Sequence, residues 1–220
     1  MSLQLKEKFK TIIQLVSEPK VIRLLISMRS FGYLLETGWL NTFKKGNPID
    51  SNFKPIPWFT YSAIDFLDGQ LRPDFTLLEF GGGNSTLYFA ERMKGVVSFE
   101  HDSAWYNKLQ LKVPQNVELI LTSSESAEEY LSKSKNLMKR FDLVVIDGLF
   151  RNECLSSSMN LINNNGIIIL DDSERSDYED GIRVLIDIGF KKLDFTGIAP
   201  GIFFKKCTTI FYRDNNVFDI

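Results

Sequence analysis

The stretch Thr76–Thr86, TLLEFGGGNST, most restricts what this 220-residue chain can fold into. Apolar residues surround Glu79, three consecutive glycines follow, and Asn84 begins a run of good helix-starting residues. We therefore predict a buried parallel strand, a glycine turn and a helix. Glycine lets the backbone approach a ligand closely, and a helix N-terminus offers unpaired N–H groups, so this order of elements indicates a nucleotide-type site.

The residues around the glycines separate two classes of cofactor. A dinucleotide fingerprint, Gly-x-Gly-x-x-Gly, has a third glycine where this chain has Thr86. Glu79, two residues before Gly81, is poorly placed against a pyrophosphate but is able to receive an ammonium group. The pattern acidic-x-Gly-x-Gly, matched by Glu79, Gly81 and Gly83, resembles motif I of the class I S-adenosylmethionine-dependent methyltransferases.

That resemblance implies a set of cofactor contacts. The loop of Phe80, Gly81, Gly82 and Gly83 is expected to pass beside the methionine part of S-adenosylmethionine, whose ammonium group Glu79 receives directly or through water. The set of predicted cofactor-binding residues continues into the helix start with Asn84 and Ser85.

A second carboxylate, Glu100, supports the predicted S-adenosylmethionine site. Val96–Glu100 is predicted to form a short strand, and Glu100 lies 21 positions after Glu79. At that spacing a strand-ending carboxylate is placed to accept both ribose hydroxyls of a nucleoside held at the first strand. His101, the single histidine of the chain, follows; the resemblance places it beside the adenosine, which favours a binding or capping role over a general base.

The remaining pattern predicts the fold class. Continuous β-branched runs at 141–146 and 167–170 predict buried strands, separated by a helix over 151–162 and a tight turn over 163–166. Two further strands, 190–195 and 208–213, predict a final hairpin. We expect an α/β, Rossmann-like, doubly wound, mostly parallel seven-stranded sheet with a C-terminal antiparallel hairpin and an N-terminal helical extension. The resemblance spans residues from about 60 to 213.

We predict two regions, a helical extension and linker over 1–57 and a class I methyltransferase domain over 58–220. The amphipathic extension is expected to pack against the domain or against a second subunit in a homodimer, with a membrane surface as the alternative. Trp58 and Thr60 are candidates for a wall over the bound cofactor, or for filling the gap between extension and core. Ser123, after the third predicted strand, is a candidate for the adenine edge.

Asp147 is the candidate catalytic residue and also belongs to the predicted cofactor-binding set, because the resemblance implies that the fourth strand faces the transferred methyl group. Its alternative role is to order the following loop through Arg151. Asp147, Asp171 and Asp172 end two strands where catechol-type O-methyltransferases hold magnesium, but an aspartate here replaces their usual asparagine. The lysine that assists deprotonation there has no counterpart in 148–151. We therefore assign no metal.

The acceptor is expected to be a small molecule. The asparagine-proline-proline-tyrosine signature of many amino- and base-methylating enzymes is absent after the fourth strand, which favours an oxygen acceptor. Two alternatives stay open: a nicotinamide-dependent oxidoreductase, and a non-catalytic nucleoside-binding module of the same fold.

Composition excludes several other classes of protein. The chain has 26 basic and 28 acidic residues and a net charge of −2, which argues against a nucleic-acid surface driven by bulk charge. Two cysteines do not make a disulfide framework. No stretch reaches the roughly 20 apolar residues of a membrane span, and the N-terminus lacks a signal-peptide pattern, so a cytoplasmic setting is expected.

Overall fold

The structure is a computed structural model and describes residues 5–220. Its α-helices are α1 (Leu5–Ser17), α2 (Pro19–Ser27), α3 (Tyr33–Glu36), α4 (Trp39–Lys45), α5 (Tyr61–Gln70), α6 (Asn84–Ala90), α7 (Ser103–Gln110), α8 (Ala127–Ser132), α9 (Arg151–Ser158) and α10 (Glu179–Asp187). Its strands are β1 (Thr76–Phe80), β2 (Gly95–Glu100), β3 (Val117–Leu121), β4 (Phe141–Ile146), β5 (Ile162–Leu170), β6 (Lys191–Gly197) and β7 (Lys206–Tyr212).

The strands form one seven-stranded sheet in the order β3-β2-β1-β4-β5-β7-β6. Strands β1 to β5 pair in parallel, whereas β7 pairs antiparallel with both β5 and β6. This arrangement confirms the predicted fold class, including the terminal hairpin.

The apolar runs of the central strands are buried on both sides of the sheet. Leu77 and Val145 belong to the core cluster on one face, and Leu78 and Val144 to the cluster on the other. Successive side chains of a strand point to opposite faces, so a run without polar interruption requires cover on both. Helices and the N-terminal segment supply that cover.

The strand order reverses between β1 and β4, which creates a crevice at their carboxyl ends. Ligands of open α/β sheets bind at such a switch point. The backbone N–H of Asp147 donates to the carbonyl oxygen of Phe80 at 2.8 Å, which holds the ends of β4 and β1 side by side. Glu100 ends β2 on the other side of β1, so three of the predicted site segments meet at one edge.

The predicted tight turn over 163–166 is wrong, because these residues belong to β5. Pairing of β5 with β4 shifts register between Phe141 and Leu143, so the asparagine run bulges away from the regular ladder. Asn163 Nδ2 donates to Asp142 Oδ1 at 2.8 Å, and this hydrogen bond joins the bulged part of β5 to β4. A Cβ on Gly166 would lie 2.4 Å from Ile162 Cγ1, so glycine is required where the strand folds closely on itself.

Part of the N-terminal segment, residues 5–57, packs against the core of the sheet. Trp39 and Ile56 are buried in the same core cluster as β1, and Trp39 Nε1 donates to the carbonyl of Ile202 at 3.1 Å. By contrast, α1 and α2 expose Ile13 and Leu24. Among the described residues, no helix has the length and apolar character to cross a bilayer. The division at 57/58 and the role of these two helices stay predictions.

Candidate functional site

A cleft opens at the carboxyl ends of β1, β2 and β4, with an empty volume of about 620 Å³ that includes space open to solvent. The residues that line it are Asn47, Pro48, Trp58, Gly81, Gly82, Gly83, Asn84, Ser85, Glu100, His101, Trp105, Asp147 and Gly148. Nine of the thirteen were predicted as site residues: Trp58, the five residues from Gly81 to Ser85, Glu100, His101 and Asp147.

The glycines of the loop serve two different needs. Gly81 has φ +101°, and a Cβ there would lie 2.7 Å from the backbone carbon of Asp147, so the fold itself requires glycine at this crossing. Gly83 is extended, with φ −173°, and a Cβ there would meet nothing closer than Ser85 Oγ at 3.8 Å. Because Gly83 lines the cleft, its missing side chain leaves room for a ligand.

Glu79 lies beneath the loop and is fully buried rather than lining the cleft. Its Oε2 accepts hydrogen bonds from Thr86 Oγ1 and, at 2.6 Å, from Ser98 Oγ. Its Oε1 is buried without a hydrogen-bond partner among residues 5–220. Burial raises the pKa of Glu79 to about 7, against the opposing effect of the neighbouring hydroxyls. An orphaned buried carboxylate oxygen fits the predicted contact with an ammonium group, which itself stays a prediction.

Thr86 occupies the position at which a dinucleotide fingerprint has glycine. Its Oγ1 accepts from the backbone N–H of Gly83 at 2.9 Å and donates to Glu79, so it links the loop to the buried carboxylate. Ser98, on the neighbouring strand β2, completes this polar group at the base of the loop. Sequence reasoning identified Ser98 only as a strand residue, because nothing local indicates which residue of β2 lies opposite Glu79.

Glu100 ends β2 with its carboxylate in the cleft wall, and the residue is 4% exposed. Its Oε1 accepts the backbone N–H groups of His101 and Asp102, each at 2.7 Å. In the described part of the chain, its Oε2 accepts no hydrogen bond and is available to a ligand. Burial raises the pKa of Glu100, and the two backbone donors and His101 oppose that rise. A carboxylate held in this way suits a pair of ligand hydroxyls.

His101 lines the cleft beside Glu100. Its Nδ1 lies 3.2 Å from Glu100 Oε1, but the angles do not make a hydrogen bond and the atom is otherwise unpaired within residues 5–220. The capping function in this turn belongs to Asp102, whose Oδ1 accepts the N–H of Trp105 at 2.8 Å.

Four lining residues were not predicted: Asn47, Pro48, Trp105 and Gly148. Trp105 Nε1 donates to the carbonyl of Gly82 at 2.8 Å, so it supports the loop from α7. Pro48 reaches the cleft from the N-terminal segment, where its carbonyl accepts from Asn84 Nδ2 at 2.7 Å. Only the tertiary fold brings Asn47 and Pro48 over the loop, whereas Gly148 follows the predicted Asp147 directly.

Besides Glu79, three predicted residues lie outside the cleft lining: Thr60, Phe80 and Ser123. Thr60 is buried and donates from Oγ1 to the carbonyl of Phe195, and from its N–H to Thr208 Oγ1, so it joins α5 to the β6–β7 hairpin. Ser123 Oγ donates to Glu129 at 2.8 Å, within its own loop. Phe80 is fully buried and stacks on Phe99, leaving only its backbone at the edge of the sheet.

A second cavity adjoins the first and is lined by Trp58, Asp147, Asp172, Arg175, Ile202, Phe204 and Lys206. The two cavities share Trp58 and Asp147. The indole Nε1 of Trp58 donates to the carbonyl of Pro200 at 2.9 Å, which fixes the ring between them. Asp147 therefore stands where a group held in one cavity meets a group held in the other.

A charged cluster underlies this junction. Arg151 Nη2 lies 3.0 Å from Asp147 Oδ1, and Nη1 donates to the carbonyl of Asp171 at 2.5 Å. The predicted contact of Asp147 with Arg151 is therefore present. Burial raises the pKa of Asp147, and the charges of Arg151 and Lys206 oppose that rise. Oxygens of Asp147, Asp171 and Asp172 lie within 4.8 Å of one another, a separation that suits a metal ion.

Comparisons with known proteins gave structural matches only. No family model matches the sequence, and no curated protein matches it. A putative O-methyltransferase from Klebsiella pneumoniae is 19% identical with a TM-score of 0.53, and the match covers 88% of this chain and 96% of that one. A methyltransferase from Pyrococcus furiosus is 17% identical with a TM-score of 0.52, covering 89% and 98%.

A third match is a putative methyltransferase from Streptococcus mutans in complex with SAH. It is 13% identical with a TM-score of 0.50, and the match covers 69% of this chain and 96% of that one. At identities this low, the matches show a shared fold.

The raised pKa of Glu79 predicts a pH-dependent stability. The pKa rises from 4.5 to about 7 on folding, so the folded chain holds this proton more tightly than the unfolded chain does. The resulting stabilisation is complete below pH 4.5 and is lost as the pH rises to about 7. Relative to Glu79→Gln, the free energy of unfolding of the wild type should therefore fall by about 3 kcal/mol between pH 5 and pH 8.

Urea denaturation of both proteins at the two pH values measures this difference. The exposed Glu128→Gln is the matched control and should show no such change. A wild-type curve that stays parallel to that of Glu79→Gln would contradict the linkage.

Proposed function

Because the chain has the Rossmann-like fold of class I methyltransferases, we propose that it is an S-adenosylmethionine-dependent methyltransferase acting on the oxygen of a small molecule. The observation that carries the proposal is the position of Asp147 between two cavities. One contains the glycine loop and Glu100, and the other is lined by apolar side chains, carboxylates and cations. A donor and an acceptor need two adjoining sites of this kind.

The residues of the first cavity fit S-adenosylmethionine. Glu100 offers the free Oε2 to the ribose hydroxyls, and Gly83 leaves space beside them. Glu79 lies under the loop with an unpaired oxygen for the ammonium group, directly or through water. When bound, this cofactor would supply a methyl group on a positively charged sulfur: the acceptor oxygen would bond to the methyl carbon as the carbon–sulfur bond breaks, and the neutral thioether S-adenosylhomocysteine would leave.

The second cavity is proposed to hold the acceptor. The ring of Trp58 and the exposed Phe204 offer flat apolar surface, while Asp147 offers a carboxylate. Arg151 binds Asp147 Oδ1, which fixes the carboxyl group and leaves Oδ2 to take a proton from an acceptor hydroxyl. The pKa of Asp147, raised by burial, brings this base closer to neutral pH.

Positioning is expected to contribute more than proton transfer. Holding two reacting groups in line lowers a barrier by roughly 7–11 kcal/mol, whereas a general base adds about 10²–10⁴-fold in rate. The fixed Trp58 and Asp147 are the residues of this chain that both cavities share, so they are the proposed positioning groups.

Two observations favour this function over a nicotinamide-dependent oxidoreductase. The third glycine of the dinucleotide fingerprint is replaced by Thr86, whose hydroxyl is already bonded to Glu79 and to the loop. The sheet also ends in the antiparallel β6–β7 hairpin, which nicotinamide-binding domains usually lack. A non-catalytic binding module is separated from an enzyme by turnover, because binding alone fits both.

Glu100→Gln tests the cofactor assignment. Loss of the carboxylate charge should weaken S-adenosylmethionine binding at least about tenfold, since hydrogen bonds from hydroxyls to a charged group contribute about 1.5–3 kcal/mol. Isothermal titration calorimetry measures the change, with the exposed Glu128→Gln as the charge-matched control. Equal affinity of Glu100→Gln and wild type would remove Glu100 from the ribose site.

Gly83→Ala tests the space beside the loop. The extended backbone accepts alanine, so the fold should lose no more than about 1 kcal/mol, the usual cost of alanine at a helix N-cap. The added methyl group should nevertheless lower cofactor affinity at least about tenfold, because it occupies space in a close-packed site. Gly69→Ala, where a Cβ meets nothing within 4 Å, is the control and should bind normally.

Asp147→Asn tests the base. The amide keeps an oxygen for Arg151 but cannot take the proton, so methyl transfer should fall about 10²–10⁴-fold, a larger change than that in cofactor affinity. Transfer of labelled methyl groups to a panel of small phenols and alcohols gives the rate, and calorimetry gives the affinity. A variant with full activity would show that Asp147 only orders the loop.

A further inference from the structure

The three carboxylates that end β4 and β5 are close enough to share a divalent cation, with ligand oxygens within 4.8 Å of one another. Divalent magnesium and calcium prefer such oxygen ligands. However, the cluster already contains a cation of the chain itself. Lys206, the first residue of β7, lies 59 positions downstream of Asp147 and brings its ammonium group into the cluster.

Lys206 is almost completely enclosed, with 5% of the residue exposed. Its Nζ lies 2.5 Å from Asp171 Oδ2 and 3.0 Å from Asp172 Oδ1. It also donates to the carbonyl oxygen of Trp58 at 3.0 Å. The contact to Trp58 is a hydrogen bond and the two contacts to the carboxylates are ion pairs, so three oxygens surround the ammonium group.

The carboxylate oxygens are similarly occupied. Asp171 Oδ1 accepts from Thr208 Oγ1 at 2.8 Å, and Asp172 Oδ2 lies 3.3 Å from Arg151 and 2.9 Å from Arg175. With the two contacts of Lys206 and the contact of Arg151 to Asp147 Oδ1, five of the six carboxylate oxygens have a cationic or hydroxyl partner. Asp147 Oδ2 is the sixth, unpaired within residues 5–220.

The charges also balance. Asp147, Asp171 and Asp172 carry at most three negative charges, because burial and the charge of Asp147 raise the pKa of Asp171 to about 8. Arg151, Lys206 and Arg175 carry three positive ones, so no negative charge is left in excess. A buried charge is stable only when paired, and each ion here has at least one opposite partner. A divalent cation would therefore meet no net negative charge and would have to displace an ammonium group from the same oxygens. These residues do not fit a resident metal ion.

We propose that the ammonium group of Lys206 takes the place of a divalent cation in this cluster, as a tethered cation supplied by β7. It neutralises Asp171 and Asp172, so that Asp147 keeps the one carboxylate oxygen free to interact with a bound molecule. Lys206 lines the second cavity, but three oxygens already surround its ammonium group, so it acts there as a positioning residue. It joins the end of β5 to Trp58, the ring shared by both cavities.

The test uses Mn²⁺ alone, without cofactor or acceptor, on the full chain. Wild type should show no saturable Mn²⁺ binding by calorimetry and no rise in melting temperature with MnCl₂. Lys206→Ala removes the charge and opens space between the carboxylates, so it should bind Mn²⁺ at least about tenfold more tightly than wild type and be stabilised by it. Lys205→Ala removes a charge from the exposed neighbouring position and should behave as wild type.

Wild-type protein that binds Mn²⁺ as tightly as Lys206→Ala would overturn the proposal, and so would a Lys206→Ala variant with no affinity for Mn²⁺. If Lys206→Ala does not fold, Lys206→Gln keeps most of the volume without the charge and is titrated under the same criteria. The proposal does not rest on methyl transfer, and Mn²⁺ affinity is measured without turnover. An inactive chain could therefore pass this test, and an active methyltransferase could fail it.

Discussion

The carboxylates at the ends of β4 and β5 depend on cations of the chain, two of which are themselves buried. Arg151 arrives from the start of α9 and Lys206 from the start of β7. Their contacts join β4, β5, β7 and the backbone of Trp58 at one point. Since an unpaired buried charge costs several kcal/mol, this network fixes the geometry of the sheet edge on which both cavities depend.

The two sides of this edge differ in how completely their polar atoms are satisfied. Beneath the glycine loop and at the end of β2, Glu79 and Glu100 each keep a carboxylate oxygen without a partner among the described residues. Asp171 and Asp172 are enclosed by cations and hydroxyls. Asp171 Oδ2 also lacks a hydrogen bond within residues 5–220, but it lies 2.5 Å from Lys206 Nζ, so an ion pair compensates its charge. The free oxygens of Glu79 and Glu100 have neither a hydrogen bond nor an ion pair there, and they mark the side built for a ligand.

The parts of the site that were predictable are those carried by local order along the chain. A strand, a glycine turn and a helix start specify a loop at the carboxyl edge, and a strand-ending carboxylate such as Glu100 or Asp147 must come to the same edge of a parallel sheet. Thr60 and Ser123 lie near predicted site segments in the sequence, but their hydroxyl groups donate to Phe195 and Glu129 and do not line the cleft. The order of residues along the chain does not indicate which acceptor a side-chain hydroxyl will hydrogen-bond to in the fold.

The sequence by itself determined the alternating β and α pattern, the glycine loop and the acidic strand ends, because hydrophobic periodicity and backbone freedom act over a few residues. Tertiary structure alone decided that Pro48 covers the loop, that Ser98 lies opposite Glu79, and that Lys206 enters the acidic cluster. The residues joined by these contacts lie 19 to 36 positions apart along the chain. Separations of this size are set by strand order and packing of the whole sheet, and no local rule of sequence encodes them.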